Sequence, residues 1–271
     1  MAIGLSTYAF FWRWSAAGAG GLSLDGMLKA TSELDVPVFQ ICDYPPIESM
    51  SGAQLQEVGT RAEDLGLSIE LGTRGTSRAH LEHYLEIAGV LGASFVRTMV
   101  SAIDGERGRD REVELLCSVV PTYAQHGVTL GLETYEQVSI NDLVAVVEGV
   151  NSPNLGICLD PGNCVARLEY PAQVIKRSAP YVVNMHIKDF KFVRQAGLVG
   201  FSLIGCPLGT GLLDYDFMIN LVQPEDKGIN QIVEQWVPPA RSIEETCNVE
   251  DEWAKHSVAF LKNHSNPAAR M

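Results

Sequence analysis

The sequence predicts an α/β protein of one domain, a (β/α)8 TIM barrel spanning residues 1–271. Short apolar runs rich in strand-forming residues alternate with amphipathic, helix-like segments along nearly the whole chain. Several of those segments end in a glycine directly before the next run, as at Gly66, Gly92 and Gly127, which is a common helix stop. Eight runs and eight segments in strict alternation are the count of such a barrel.

In chain order, the predicted strands cover residues 3–8, 38–42, 68–71, 95–99, 128–132, 155–159, 182–185 and 231–233. The predicted helices cover residues 24–34, 52–65, 78–91, 111–126, 140–147, 171–178, 215–222 and 249–263. The alternative, a doubly wound open sheet, would carry GxGxxG after its first strand, but residues 18–21 read Gly-Ala-Gly-Gly and lie well past that strand. Residues 190–211, rich in glycine, are predicted to form a long irregular loop at the upper rim, either a lid or substrate loop, which is preferred, or a solvated surface loop.

Composition and charge exclude several classes of protein. Hydrophobic residues make up 46% of the chain and charged residues 20%, an ordinary globular balance. The net charge of −13, without a basic cluster, argues against a nucleic-acid partner. No apolar stretch approaches the roughly 18 residues of a membrane span, and the N-terminus lacks a targeting pattern. We therefore expect a cytoplasmic protein, whose six cysteines, without a CxxC pair, are reduced and take no part in chemistry.

Four side chains typical of metal sites stand at the C-terminal ends of predicted strands: Glu133, Asp160, His186 and Glu234. In a barrel these strand ends meet at one rim, where active sites are built. Three carboxylates and one imidazole suit Mn²⁺, Mg²⁺ or Co²⁺, with Zn²⁺ also possible. Any one of them could instead cap a helix or form a turn, as Asp160 before a Pro-Gly pair could. Together they predict one divalent metal ion, with Mn²⁺ the preferred choice.

With these motifs the chain resembles the sugar phosphate isomerase/epimerase superfamily of xylose isomerase-like TIM barrels, also described as AP endonuclease family 2. The resemblance covers almost the whole chain and is most specific at residues 131–133, 159–163, 185–189, 207–214 and 233–234. It implies that Glu133, Asp160, His186 and Glu234 bind one divalent metal. The endonuclease IV branch is discounted, because it needs additional histidines and only His186 lies at a predicted strand end.

The resemblance also implies a mechanism. Members of the superfamily transfer a proton at the carbon next to a metal-bound carbonyl, through a cis-enediolate. By this likeness Glu133 and Glu234 are the catalytic residues, one removing a proton and the other returning one from the opposite face of the substrate.

Two positions depart from the epimerase pattern. This chain has Asn163 where those enzymes have a histidine, and Phe192 where they have an arginine. The contacts with substrate near the metal must therefore differ. Lys188 either replaces the lost cation or is a solvated charge.

Other polar side chains near strand ends are candidates for contact with the substrate. Tyr8 belongs to an aromatic first loop that can stack on a sugar. Arginines suit a substrate that carries a carboxylate, although an arginine inside a strand, such as Arg97, usually faces solvent or forms a salt bridge. Glu136 either binds substrate or only begins a loop. The substrate-binding candidates are Tyr8, Arg74, Arg97, Glu136, Asn163, Lys188 and Arg241.

The preferred function is a metal-dependent isomerase or epimerase of a small keto sugar or sugar acid. The alternative is a lyase, which forms the same enediolate by losing CO₂ from a 3-oxo sugar acid or water from a ketose; some superfamily members are such decarboxylases. A non-catalytic sugar-binding barrel is a third reading, but it would not need a complete ligand set. We expect a small-molecule sugar or sugar-acid substrate, no nucleic acid or membrane partner, and a homodimer or homotetramer.

Overall fold

The structure, a computed structural model, describes residues 1–103, 105–195, 197 and 199–264 and contains a closed barrel of eight parallel strands. The predicted fold class is therefore confirmed. In chain order the strands are β1 (Ile3–Ser6), β2 (Val38–Cys42), β3 (Ser68–Gly72), β4 (Phe95–Thr98), β5 (Thr129–Glu133), β6 (Leu155–Leu159), β7 (Val182–Ile187), β8 (Asp189–Arg194), β9 (Phe201–Cys206) and β10 (Gln231–Val233). β1 to β7 follow one another around the barrel, and β10 closes it between β7 and β1.

Helices surround the barrel at the places that the sequence predicts. They are α1 (Phe11–Trp14), α2 (Leu24–Glu33), α3 (Gly52–Asp64), α4 (Arg78–Leu91), α5 (Gly105–Gln125), α6 (Ile140–Val150), α7 (Pro171–Ser178), α8 (Tyr215–Val222), α9 (Pro224–Lys227) and α10 (Ile243–His264). Ser51 and Gln54 form a capping box that begins α3, and Gly92, at φ 66°, ends α4. Among the α-helices of the described residues, the short α1 and α9 were not predicted, and α5 and α10 begin earlier than expected.

The strands are buried on both faces, because the helices cover the outside of the barrel and side chains fill its inside. Leu5, Ile41, Leu71, Leu132 and Ile157 are all buried in this core. The six cysteines are free thiols, as predicted. Among the helices of the described residues, none combines the length and apolarity needed to cross a bilayer.

The prediction of an irregular loop over residues 190–211 is wrong. β8 and β9 pair as an antiparallel hairpin, from Asp189 opposite Cys206 to Arg194 opposite Phe201. Gly197 and Gly200 lie between the two strands, Gly205 lies in β9, and Gly209 and Gly211 follow β9. Most of the paired residues are strand formers, and the local sequence pattern did not reveal their pairing. Two residues of this segment, 196 and 198, lie outside the described residues.

The segment that follows β9 is anchored on a buried carboxylate. Asp189 accepts backbone N–H bonds from Gly209 (3.0 Å), Gly211 (2.7 Å) and Leu213 (3.0 Å). A Cβ on Gly211 would lie 2.3 Å from Asp189 Oδ1, so only glycine fits there. The glycine-rich string at residues 207–214 thus fixes the base of the hairpin at the rim of the barrel.

Candidate metal centre and substrate cavity

The four predicted metal ligands come together at the C-terminal rim of the barrel. Glu133 ends β5, Asp160 follows β6, His186 lies near the end of β7, and Glu234 follows β10. One ligand atom from each lies within 4.8 Å of the others, and all four side chains are buried. The strand ends therefore deliver the cluster that the sequence predicts.

His186 is held so that one nitrogen faces the carboxylates. Its Nε2 lies 2.8 Å from Gln40 Oε1, and the Nε2 amide of Gln40 donates to Glu70 Oε2 at 3.1 Å. Because the Gln40 amide gives its N–H to Glu70, its carbonyl oxygen faces His186 and accepts from Nε2–H. His186 Nδ1 is left 3.3 Å from Glu133 Oε1 and 3.3 Å from Glu234 Oε1.

This arrangement fits a bound cation. Nδ1 of His186 makes no well-formed hydrogen bond with the described residues, although it is buried. A nitrogen lone pair and two carboxylate oxygens that face one another repel unless a positive charge lies between them. Hard oxygen donors with one imidazole nitrogen suit a divalent ion, which Glu133, Asp160, His186 and Glu234 would hold.

Charged neighbours separate the pKa values of the carboxylates. Burial alone would raise the pKa of Glu133, but positive charges nearby, above all the adjacent Arg97 guanidinium, lower it to about 2. Burial raises the pKa of Asp160 to about 6, more than the neighbouring Lys188 ammonium lowers it. The pKa values of these two carboxyls thus shift in opposite directions, because Asp160 also faces the negative charges of Glu133 and Glu234.

Arg97 is a buried partner of the candidate ligand Glu133. Its Nε is ion-paired with Glu133 Oε2, and only 2% of its side chain is exposed. Nη1 donates to Asp43 Oδ1 (3.0 Å) and to the Thr73 carbonyl (2.7 Å), and Nη2 donates to Asp43 Oδ2 (3.3 Å). The guanidinium is therefore paired mainly with the protein, which is the salt-bridge alternative for an arginine inside a strand. Arg97 also lines the substrate cavity, and its contact with substrate stays a prediction.

Asp43 joins two predicted substrate residues to this network. Asp43 Oδ2 accepts from the Tyr8 hydroxyl (2.9 Å) and from Arg74 Nε (2.9 Å), and Arg74 Nη2 donates to the Tyr8 oxygen (2.9 Å). The Arg74 side chain is 55% exposed. Sequence reasoning missed Asp43, although it follows β2 directly and so carries the same strand-end signal as Asp160.

Asn163 and Lys188 contact the candidate metal ligands directly. Asn163 Nδ2 donates to Glu133 Oε1 at 2.8 Å. Lys188 Nζ lies 2.5 Å from Asp160 Oδ2, 2.9 Å from Glu234 Oε2 and 4.5 Å from the centroid of the Trp236 ring. Lys188 is 5% exposed, so the alternative that it is a solvated charge is wrong.

A cavity of about 340 Å³ opens beside the cluster. Its lining includes Glu133 and Glu234 and six of the seven predicted substrate residues: Tyr8, Arg74, Arg97, Glu136, Asn163 and Lys188. Arg241 is not among the lining residues, because it is exposed on the segment before α10, where its backbone N–H donates to Glu245.

Several residues that line the cavity were not predicted. Leu203 of β9 brings the hairpin to the site, while Met99, Tyr135 and Trp236 add apolar and aromatic surface. Of these, Tyr135 and Trp236 each lie two residues after a candidate metal ligand, so their positions near the cavity could have been predicted from the sequence. Leu203 carries no such signal, because its place depends on the pairing of β8 with β9.

Comparison with known proteins shows similarity over the whole barrel. The family model described as "Xylose isomerase-like TIM barrel" matches residues 28–264. The 3-oxo-isoapionate decarboxylase of Pectobacterium atrosepticum is 52% identical over 269 residues, covering 99% of this chain and 98% of that protein.

Two solved structures show the same fold at lower identity. A D-psicose 3-epimerase, solved in the presence of D-fructose, has a TM-score of 0.74 and 15% identity, covering 97% of this chain and 98% of the epimerase. A xylose isomerase-like TIM barrel protein from Mycobacterium smegmatis, in complex with magnesium, has a TM-score of 0.69 and 21% identity, covering 96% and 97%.

Proposed function

The chain belongs to the xylose isomerase-like TIM barrel family, and from that premise we propose that it is a divalent-metal-dependent decarboxylase of a small 3-oxo sugar acid. The observation that carries this proposal is the 52% identity to a 3-oxo-isoapionate decarboxylase over 99% of the chain. Two proteins that are 52% identical over nearly their full lengths are expected to catalyse the same class of reaction. The lyase alternative is therefore preferred to the isomerase.

The contacts of Glu133 favour this choice. An epimerase needs one carboxylate to remove a proton from carbon and a second group to return it. Glu133 Oε2 is ion-paired with Arg97, and Oε1 accepts from Asn163 at 2.8 Å. Both oxygens are thus occupied by the protein, which suits a metal ligand better than a base.

Decarboxylation requires only the delivery of a proton. The bond between the carboxylate carbon and its neighbour breaks, CO₂ leaves, and the electron pair passes into the adjacent ketone as an enolate. A proton must then bond to the carbon that lost CO₂. A divalent metal in the cluster would polarise the ketone oxygen and so favour this flow of electrons.

We assign the delivery of that proton to Lys188. It lines the cavity and carries an ammonium group beside Asp160 and Glu234. Burial would lower the pKa of Lys188, but those two carboxylates raise it well above its usual range, so the group stays protonated until the enolate forms. Its Nζ–H bond breaks as the new C–H bond forms, and water restores the ammonium.

Arg74 is the proposed partner of the substrate carboxylate. It lines the cavity, and Asp43 and Tyr8 hold its Nε and Nη2 while more than half of its side chain is exposed. A guanidinium so held binds a carboxylate with charge-assisted hydrogen bonds. CO₂ carries no charge, so the contact weakens once the reaction has occurred.

The test is an assay of 3-oxo sugar acids with Mn²⁺-loaded protein in D₂O. We expect CO₂ release, with one deuterium on the carbon that carried the carboxylate, and no release by the Glu234→Gln variant. Metal analysis of the same two proteins should find about one equivalent of Mn²⁺ in the parent only. No CO₂ from any 3-oxo acid tested would contradict the proposal.

Isomerisation or epimerisation of a keto sugar is the second candidate. The observation that favours it is the pair of glutamates, Glu133 and Glu234, in one ligand cluster. Exchange of carbon-bound hydrogen with D₂O in a keto sugar, without loss of mass, would support this candidate instead.

A further inference from the structure

We propose that Glu70, which touches none of the metal ligands, determines which nitrogen of His186 faces the metal. Glu70 lies on β3 inside the barrel, 5% exposed, and is the register partner of Gln40 on β2. Gln40 in turn contacts His186 Nε2. The inference rests on the metal centre of the proposed function and not on the reaction that occurs there.

Amide groups surround the Glu70 carboxylate. Its Oε2 accepts from Gln40 Nε2 (3.1 Å) and Asn184 Nδ2 (2.9 Å), and its Oε1 accepts from Asn230 Nδ2 (2.8 Å). A carboxylate with these partners acts only as an acceptor. Every amide that faces it must therefore present its NH₂ group.

This requirement sets the direction of the next hydrogen bonds. Because the NH₂ of Gln40 must face Glu70, its carbonyl oxygen must face His186. A carbonyl oxygen only accepts, so the imidazole proton is held on Nε2. The lone pair then lies on Nδ1, the nitrogen that faces Glu133 and Glu234. Two consecutive hydrogen bonds, from Gln40 to Glu70 and from His186 to Gln40, thus let Glu70 determine the tautomer of His186.

Replacing the Glu70 carboxylate by an amide removes this constraint on Gln40 and leaves the shape of the side chain nearly unchanged. With glutamine at position 70, the amide of Gln40 can turn over and present its NH₂ to His186 Nε2. The imidazole proton would then move to Nδ1, where it blocks the coordinating nitrogen. Glu70 is therefore a positioning residue for His186, in the way that outer partners orient metal-bound histidines.

The test measures Mn²⁺ affinity by calorimetry in the full-length protein. We expect Glu70→Gln to weaken binding about 10- to 100-fold, the usual size of such an outer-partner effect. Asn230→Ala is the matched control, because it also removes a hydrogen bond to Glu70 but leaves the orientation of Gln40 fixed. It should lower thermal stability and leave Mn²⁺ affinity within about twofold of the parent. Thermal unfolding in EDTA checks that each variant is folded.

A double variant separates orientation from packing. In Gln40→Glu/Glu70→Gln the acceptor-only group lies directly against His186, so Nε2 keeps its proton, and we expect most of the Mn²⁺ affinity to return. ¹⁵N-histidine spectra of the Cd²⁺-loaded parent should show Nδ1 as the bound nitrogen of His186.

Parent-like Mn²⁺ affinity in Glu70→Gln would overturn the inference, as would an equal loss in Asn230→Ala or no recovery in the double variant. A parent protein that binds no Mn²⁺ at all is a different result, which would overturn the metal centre itself.

Discussion

Two groups of buried carboxylates, one at the rim and one inside the barrel, differ in their partners. At the rim, Glu133, Asp160 and Glu234 point ligand atoms at one another and at His186, with Arg97 and Lys188 beside them. Inside, Glu70 has only amide N–H donors at hydrogen-bonding distance in the part of the chain that is described. Both groups of carboxylates are buried, so burial alone does not distinguish a metal site from a structural hydrogen-bond network.

The partners determine what each carboxylate can do. Burial raises the pKa of Glu70, whereas the cation Arg97 lowers the pKa of the equally buried Glu133 to about 2. Neutral amides fix the direction of the hydrogen bonds to Glu70, whose single negative charge stays apart from other carboxylates. Clustered carboxylates leave excess negative charge that a divalent cation can neutralise. The rim is therefore suited to binding a metal, and the interior to orienting a ligand.

The largest expected effect is the loss of a rim carboxylate. Glu234→Gln keeps the shape of the side chain but removes a ligand charge, so Mn²⁺ affinity should fall more than the roughly 100-fold upper end seen for outer partners. Decarboxylation should fall to background. Calorimetry and CO₂ release measure both.

Glu244→Gln, an exposed carboxylate on α10, is the control for this change and should match the parent. The comparison of rim and interior would fail if Glu234→Gln bound Mn²⁺ as tightly as the parent.

Removal of the rim ammonium should separate catalysis from metal binding. Lys188→Met should lower kcat by about 100-fold or more, the size of a general acid's contribution. Mn²⁺ affinity should stay or rise, because Asp160 and Glu234 lose a competing cation. Steady-state kinetics and calorimetry on one preparation measure the two effects.

The matched control is Lys191→Met, a lysine exposed on β8, which should leave both quantities unchanged. An unchanged kcat in Lys188→Met would remove this lysine from the chemistry.

A smaller effect is expected at the mouth of the cavity. Arg74→Met should raise KM about tenfold, the effect of about 1.4 kcal/mol, while kcat stays within about twofold, because the arginine binds a charge that is present before the reaction. The measurement is the dependence of rate on the concentration of the 3-oxo acid. Arg78→Met, on the surface of α4 and paired with Glu82, is the control. A fall in kcat with unchanged KM would point to a different role.

A buried carboxylate outside the metal cluster extends the comparison to the pH dependence of stability. Glu250 accepts backbone N–H bonds from Trp12 (2.7 Å) and Arg13 (3.2 Å), and burial raises its pKa from 4.5 to about 7. The folded state therefore binds its proton more tightly than the unfolded state does. The stability contributed by this proton is complete below pH 4.5 and is lost as the pH rises to about 7.

Glu250→Gln should remove this loss. Between pH 4.5 and about 7, its free energy of unfolding should rise relative to the parent, by on the order of 1–3 kcal/mol. Urea unfolding at several pH values measures the difference. The control is Glu252→Gln, an exposed neighbour on α10, whose free energy of unfolding should vary with pH as in the parent. Parallel curves of unfolding free energy against pH for Glu250→Gln and the parent would contradict the raised pKa of Glu250.

The amino-acid sequence by itself determined the barrel and its four strand-end residues. Both follow from local pattern: the alternation of strands and helices specifies the fold class, and a residue that ends a parallel strand must lie at the rim. Glu133, Asp160, His186 and Glu234 could therefore be identified without knowledge of any contact between them. The family resemblance rests on the same local strings.

Only the tertiary structure decided what surrounds those residues. Arg97 meets Asp43 across 54 positions of sequence, and His186 meets Gln40 across 146. These pairings depend on register around the closed barrel, and the hairpin over the cavity depends on pairing between β8 and β9. Only the structure showed that Arg97 pairs with Glu133 and Asp43, and that Lys188 is buried between two carboxylates. The physical reason is that a side chain's charge partners are set by neighbours in space, which local periodicity does not encode.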